Sequence, residues 1–294
     1  MVIILLLILT GYVLCKKRIV TEKASPAISA LVVNVCNPSN LMASSLNRDP
    51  LITNRMVLLS CLASAVMYGC LILSSFVLPG FFEKEQPWKN HYKLLCIFGN
   101  TGFLGIPLVS AVLGNQALIY VAVVNACFNL IFYTYGITLT TDGKEKFDIR
   151  KMINVGNICL ILTIVIFCFR IKLPVILTNT VTTMANATTF LAMIVIGISM
   201  ATQDLKKIFS QAKLYLFIAI RYVAVPILIS LLIRLFVHDD LMYGVIILLT
   251  AVPAASLPLM SVEESGGDGH LLSQGIVLST LLSVLTIPIV VYFM

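Results

Sequence analysis

Inside runs of sequence that are otherwise apolar, side-chain amides recur at helical spacing. Asn34, Asn37 and Asn40 follow one another every three residues around Pro38, and Asn125 and Asn129 stand four apart. Residues three or four apart share one face of a helix, so each set presents its amides in one direction. Asn100 and Thr101 follow Gly99 in the stretch GNTGFLGIPLVSAVLGN, residues 99–115. An amide offers donors and an acceptor and a hydroxyl offers both, so these groups can bind a solute. The same chemistry serves to satisfy freed backbone groups or to join two helices, and both readings stand for each set. Asn186 and Thr189 form a weaker polar pair further on.

Three charges belong to the same survey. Arg221 lies in RYVAVPIL, deep in an apolar run, where a cation is costly unless it faces protein or water. It either neutralises a carboxylate solute or pairs with helix C-terminal carbonyls or an acid such as Glu263. Glu263 and Glu264 close another apolar run; they either carry a coupling proton or sodium ion or form a solvated helix end beside Asp268 and His270.

Catalysis finds no constellation. There is no HExxH, no GxGD, no facing serine–lysine pair and no phosphate-binding P-loop, and His91, His238 and His270 all sit at the ends of apolar runs. The eight cysteines show no CxxC and no histidine at ligand spacing, which reads as buried thiols and no metal.

The elements that must position these residues are membrane helices. Of 294 residues 59% are hydrophobic and 11% charged, with a mean hydropathy of +1.01; soluble domains carry roughly a quarter charged residues. Charged tracts such as 16–23, 83–93, 142–151 and 204–207 punctuate ten apolar runs, at 1–15, 26–46, 56–80, 93–114, 117–141, 153–171, 174–202, 213–236, 241–263 and 270–293. Most reach the ~20 residues that cross a bilayer as helix. The first is short, and no basic stretch precedes it, so a cleaved signal peptide is not expected. With the N-terminus outside, the loops after odd-numbered runs hold fourteen Lys and Arg against five in the others. The positive-inside rule then puts both termini outside and the central connector in the cytoplasm. The net charge of +7 reads as orientation and not as nucleic-acid binding. Trp88 and Tyr92, after Pro87, read as an interfacial anchor.

Ten runs divide into 1–141 and 153–294, joined by 142–152, and five spans per half force any duplicated unit to sit upside down. GIPLVSAV at 105–112 and SLPLMSVE at 256–263 share Pro107/Pro258, Leu108/Leu259 and Ser110/Ser261, each in the fourth run of its half. Proline in a helix interior costs about 3 kcal/mol and glycine about 1 kcal/mol relative to alanine. Inside lipid the freed backbone groups must face protein or a water-filled cavity. Gly99, Gly102, Gly105 and Pro107 in the fourth run, with Pro253 and Pro258 in the ninth, therefore predict two interrupted helices meeting at a polar cavity. The break is expected near Gly99–Gly102, with Pro107 a secondary kink beyond it.

FGNTGFLGIPLVSAVLGN, NLIFYTYGITL, AVPAASLPLMSVEESGGD and LSTLLSVLTIPIV, together with GYVLCKKRIVTEKAS and ALVVNV near the start, resemble the auxin efflux carrier family of permeases in its short bacterial form. The resemblance implies an all-α polytopic membrane protein with ten transmembrane helices in two inverted five-helix repeats, and broken helices 4 and 9 that cross. It implies transport of organic anions, malate- or malonate-like in bacterial members and indole-3-acetate in plant ones. Plant carriers place a proline and a substrate-contacting asparagine where this chain has Gly99 and Asn100. Pro253 matches the crossing proline of helix 9 and Pro38 the interrupting proline of helix 2, whereas Phe190 replaces a helix-7 proline common in bacterial members.

The expectation is a secondary transporter of a small mono- or dicarboxylate in the cell membrane, with Asn100, Thr101, Asn37, Asn40, Asn125, Asn129 and Arg221 as solute contacts. It needs no cofactor beyond a coupling H+ or Na+. Its partners are the solute and the lipid bilayer, with a homodimer as a permitted assembly. The rivals are a cation-coupled exchanger or channel on the same fold, in which Glu263 and Glu264 matter more, and a membrane sensor that moves nothing.

Overall fold

The computed structural model describes residues 2–46, 52–143, 153, 155–202 and 212–293. Most of the connector 142–152 lies outside the described residues, as do the charges of 204–207. Among the described residues all regular elements are helices, apart from one isolated bridge between Gly99 and Ala254. The helices occupy the apolar runs: α1 (Val2–Lys16), α2 (Ser25–Leu31, Val32–Cys36 and Asn37–Leu46 end to end), α3 (Asn54–Phe82), α4 (Trp88–Ile97, then Thr101–Leu113), α5 (Asn115–Thr140), α6 (Val155–Phe169), α7 (Val175–Asn186, then Thr188–Thr202), α8 (Ala212–Arg234), α9 (Asp240–Ala251, then Leu257–Glu264) and α10 (His270–Tyr292). Five of them, α3, α5, α7, α8 and α10, are long and apolar enough to cross a membrane; α1, α6 and pieces of α4 and α9 are shorter apolar helices.

The helices sort into two groups by what they touch. α1 lies along α7, and α2 packs on α6 and α7, forming a panel. The α1–α7 crossing is made by glycines: a Cβ on Gly11 would meet the backbone of Ile194, and one on Gly197 would collide with the backbone of Ile8 and Tyr12. The second group is a bundle of α3, α4, α5, α8, α9 and α10, in which α3 packs on α4 and α5, and α10 on α4, α8 and α9. Large apolar side chains cover the outer faces, Leu58 and Leu73 on α3 and Leu228 and Leu231 on α8 among them, all more than half exposed. Lipid tails solvate such a surface as well as a protein core would, so no folding penalty attaches to it.

Four helices carry a widened π-type turn, at Val32–Cys36, Thr101–Gly105, Phe132–Gly136 and Ile220–Ala224. Three of these end two residues before a proline, at Pro38, Pro107 and Pro226. Proline lacks the N–H for the usual bond and its ring crowds the carbonyl one turn back, and an extra residue in that turn relieves the clash. This corrects the expectation for Pro38: α2 widens ahead of it and runs on without a break. Conversely α7 is interrupted at Ala187 with Phe190, and no proline, beside the interruption. The Thr188 hydroxyl at that interruption donates to the Cys36 carbonyl of α2 at 2.9 Å, tying the two irregular turns together.

Two smaller readings also change. Tyr92 is buried in the bundle, stacked on Phe82 at 5.7 Å and edge-on to Phe217 at 4.9 Å, and so is a core residue, not an interfacial anchor. The cysteines are free thiols, but only Cys36 and Cys96 are buried, and Cys61 is exposed.

Candidate functional site

The two broken helices of the bundle meet backbone to backbone. The Asn100 amide N–H donates to the Pro253 carbonyl at 2.6 Å and the Ala255 N–H to the Phe98 carbonyl at 2.9 Å, a two-bond antiparallel bridge. Ala254 N–H donates to the Ser279 hydroxyl of α10 at 3.1 Å, so each extended link finds partners for groups that proline and glycine free from helix. Glycine permits the contact. A Cβ at Gly99 would lie 2.9 Å from Val252 Cγ2, and one at Gly105 2.7 Å from Leu249 Cδ2. Gly102 is less constrained, with only the Asn37 amide 3.4 Å from its notional Cβ. Pro107 falls in the first turn of α-helix after the π-type turn, and Pro258 in the first turn of the second piece of α9. Pro258 there spares an N–H that has little use for a partner, whereas Pro107 is accommodated by the widened turn ahead of it. The break itself is at Gly99 and Pro253.

Every helix end at this crossing exposes unpaired backbone groups and a partial charge, positive at an N-terminus and negative at a C-terminus. The negative ends of the first pieces of α4 and α9 are met from α8. Arg221, 0% exposed, donates through Nε to the Cys96 carbonyl and through Nη1 to the Thr250 carbonyl at 3.1 Å. The adjacent Tyr222 hydroxyl donates to the Leu95 carbonyl at 2.7 Å, and the guanidinium lies 4.7 Å from the Tyr222 ring centre. One buried cation thus holds two helix ends, and its partners are carbonyls, not Glu263.

The positive ends are left facing a cavity of about 410 Å³, lined by the second pieces of α4 and α9, by α5 and, from the panel, by α2 and α6. Asn100 caps the second piece of α4, its Oδ1 accepting from Phe103 N–H at 3.0 Å, which leaves the amide NH2 as the donor it presents. Ser256 and Leu257 bring the opposing N-terminus of α9 to the same space. Asn37 enters from α2, its Oδ1 buried and without a hydrogen-bond partner. Thr101 and Asn125 also line the cavity, but the Thr101 hydroxyl donates to Asn125 Oδ1 at 2.7 Å and Asn125 Nδ2 to the Val121 carbonyl at 3.1 Å, so they brace the break against α5. Asn129 donates to Asn157 Oδ1 of α6, linking bundle to panel. Asn34 also lines it and donates to the Ala30 carbonyl at 2.9 Å. Val33, Leu41, Phe103, Phe128, Leu160 and Met260 supply apolar wall. No lysine, arginine, histidine, aspartate or glutamate is among the described lining residues.

The structure brings Asn37, Asn100, Thr101, Asn125 and Asn129 together at this cavity. It places Arg221 behind the crossing, outside the cavity, and Asn40 in a second crevice with Asn186 and Thr189. Glu263 is exposed near the end of α9, away from both, and Glu264 ends the same helix. Sequence reading missed Asn157, an amide in the first turn of an apolar run, and the supporting pair Tyr222 and Ser279. The spacing of three between Asn154 and Asn157 was a usable signal; Tyr222 and Ser279 act on backbone groups, which carry none.

Near the N-terminus of α4, His91 is buried, with Nδ1 lacking a hydrogen-bond partner. It precedes the apolar run that begins at residue 93. Burial pushes its imidazole below the ordinary histidine value, opposed by Asp142 at the end of α5 and Asp268 in the turn before α10.

A cavity between helices that discontinuous segments reach with their positive ends, in a chain with several helices fit to cross a bilayer, is the arrangement of a membrane transport protein. Residues 1–157 and 150–291 both match the membrane transport protein family, and the chain belongs to this family, that of the auxin efflux carriers. It is 23% identical over 291 residues to a protein of Methanothermobacter thermautotrophicus described as an uncharacterized transporter, covering 97% of this chain and 94% of that one. It is likewise 23% identical over 299 residues to an uncharacterized transporter of Methanocaldococcus jannaschii, covering 98% and 95%. It is a multi-pass membrane protein of a transporter family, not an enzyme family.

Proposed function

We propose that the protein is a secondary transporter of a small organic anion bearing one carboxylate, working by alternating access at the crossing of α4 and α9. The observation that carries this reading is the charge arrangement at the crossing. Arg221 answers the two negative helix ends, while the two positive ends, N-terminal to Thr101 and Leu257, face a cavity whose described lining residues carry no charge. Each helix end is equivalent to roughly half a unit charge. Two together match one carboxylate, and a second carboxylate would enter an uncharged, largely apolar space at a desolvation cost.

In this reading Asn100 donates its free amide N–H groups to the anion and Asn37 contributes from the opposite wall. Asn125 and Thr101 hold the break in place. The ten helices form two inverted five-helix repeats, 1–141 and 153–294. The pairing of α1 with α7 and of α6 with α2 supports this, since an upside-down repeat exchanges those two contacts. The panel is then the scaffold and the bundle the moving part, with α4 and α9 carrying the solute. Both termini lie outside and the central connector in the cytoplasm, by the distribution of Lys and Arg. A coupling H+ or Na+ and a homodimer are compatible with this scheme.

The test is flux. Proteoliposomes containing the purified protein, given a panel of labelled monocarboxylates and dicarboxylates, should show saturable uptake of at least one monocarboxylate. Absence of saturable flux for the whole panel under every imposed gradient contradicts the proposal.

A further inference from the structure

A second space lies beyond the crossing. It is a crevice of about 140 Å³, and all its described lining residues but Ala43 and Ala185 are asparagine, serine or threonine. Asn40 and Ser44 come from α2, Ser110 from α4, Asn115 from the start of α5, and Asn186 and Thr189 from the interruption of α7. Asn40 and Ser44 are buried, whereas Asn115 and Asn186 are exposed, so the crevice runs inward from the surface. Neutral hydrogen-bonding groups gathered this densely in a chain that is 59% hydrophobic make a surface for water and polar solute, not for lipid.

Its position relative to the main cavity is consistent on three helices. On α2 the cavity takes Val33 to Leu41 and the crevice Asn40 to Ser44; on α4 the cavity ends at Ile106 and the crevice begins at Ser110. α5 runs the opposite way, and there the crevice takes Asn115 and the cavity Asn125 onward. Four residues from Ile106 to Ser110 advance about 6 Å along a helix, so about one turn separates the two spaces. That turn is apolar and closed, with Leu41 4% and Ile106 1% exposed.

We propose that the crevice is the second mouth of the solute path, receiving the same small anion from the opposite face of the membrane, and that the layer containing Leu41 and Ile106 is the gate shut in this conformation. This rests on the transport reading above. Leu41 belongs to the panel and Ile106 to the bundle, so movement of the bundle against the panel parts the gate. Leu41 and Ile106 exclude water between two polar spaces without a charge that would trap the anion on its way through.

The test is thiol accessibility in sealed vesicles of both orientations, using a small, charged, membrane-impermeant methanethiosulfonate against a background of the native cysteines. Ser110→Cys and Thr189→Cys report on opposite walls of the crevice, and Ser256→Cys on the main cavity. Each is small and half-buried, so either crevice variant suffices if the other does not fold. The expected result is modification of the crevice thiols from one face and of Ser256→Cys from the other, with Ile106→Ala making Ser110→Cys reachable from both. Modification of crevice and cavity thiols from the same face, or no modification of the crevice thiols from either, overturns the inference. Labelling needs no flux, so opposite-face labelling in a protein that moves no carboxylate overturns the transport reading while leaving the two-mouthed path intact.

Discussion

Replacing Arg221 with methionine removes a side chain that holds both broken helices by their C-terminal ends. The cost follows from its bonds. Nε and Nη1 each donate to a buried carbonyl, at Cys96 and Thr250, and a hydrogen bond from a charged donor contributes about 1.5–3 kcal/mol. Both carbonyls lose their partner in the variant, so the expected destabilisation is about 3–6 kcal/mol. At roughly 2–4 °C per kcal/mol for a chain of a few hundred residues, the melting temperature in detergent should fall by roughly 6–24 °C. Arg221→Lys keeps the charge but not the fork and should fall between the two. The assay is thermal unfolding of purified protein followed by size-exclusion fluorescence, beside equilibrium binding of a carboxylate. If Arg221→Met melts within about 2 °C of the parent, well inside the lower bound of the estimate, while losing carboxylate affinity, the arginine serves the solute and the capping account is wrong.

Three further outcomes are expected. Gly99→Ala places a methyl 2.9 Å from Val252 Cγ2 and should cost about 1–3 kcal/mol by overpacking. Adding Val252→Ala should recover part of this in a double-mutant cycle, and purely additive losses would show that the two positions do not touch. His91 is held below its ordinary value by burial, so the unfolded chain binds the proton better. Stability from this group is complete above the unfolded value of about 6.5 and is lost as pH falls below it toward the folded value. His91→Asn should therefore show a smaller drop in melting temperature between pH 7.5 and 5.5, and an equal drop would assign the pH response elsewhere. Between a monocarboxylate and a dicarboxylate of similar size, binding should favour the monocarboxylate by about tenfold or more, since each tenfold needs only about 1.4 kcal/mol. A preference for the dianion would mean that a cation reaches the cavity.

The helices and the point where they break were legible because their signals are local. Apolar runs between charged tracts marked the helices, and Gly99 and Pro253 marked the crossing, since a glycine or proline in a membrane helix leaves backbone groups that must be answered. Which groups answer was not legible. Arg221 bonds to carbonyls 125 and 29 residues away, and a backbone carbonyl looks alike at every position of a sequence. Pro38 reads as a break, but whether a helix breaks or widens ahead of proline depends on the space around it, and here Thr188 of a distant helix answers the widened turn. The amides illustrate the same limit. Asn37 and Asn40 share a helix face by spacing, yet the wall between cavity and crevice passes between them, because Leu41 turns inward beside them.

The most direct test of the crossing as an anion site is Asn100→Asp. Aspartate caps a helix as well as asparagine does, so the Phe103 N–H keeps an acceptor and the fold should keep its melting temperature. The amide donor facing the solute becomes an anion, losing a hydrogen bond of about 1.5–3 kcal/mol and adding repulsion. Equilibrium binding of a saturably transported monocarboxylate should weaken at least about tenfold in a variant of unchanged stability. Undiminished affinity in that folded variant would contradict the claim that the carboxylate binds where α4 and α9 cross.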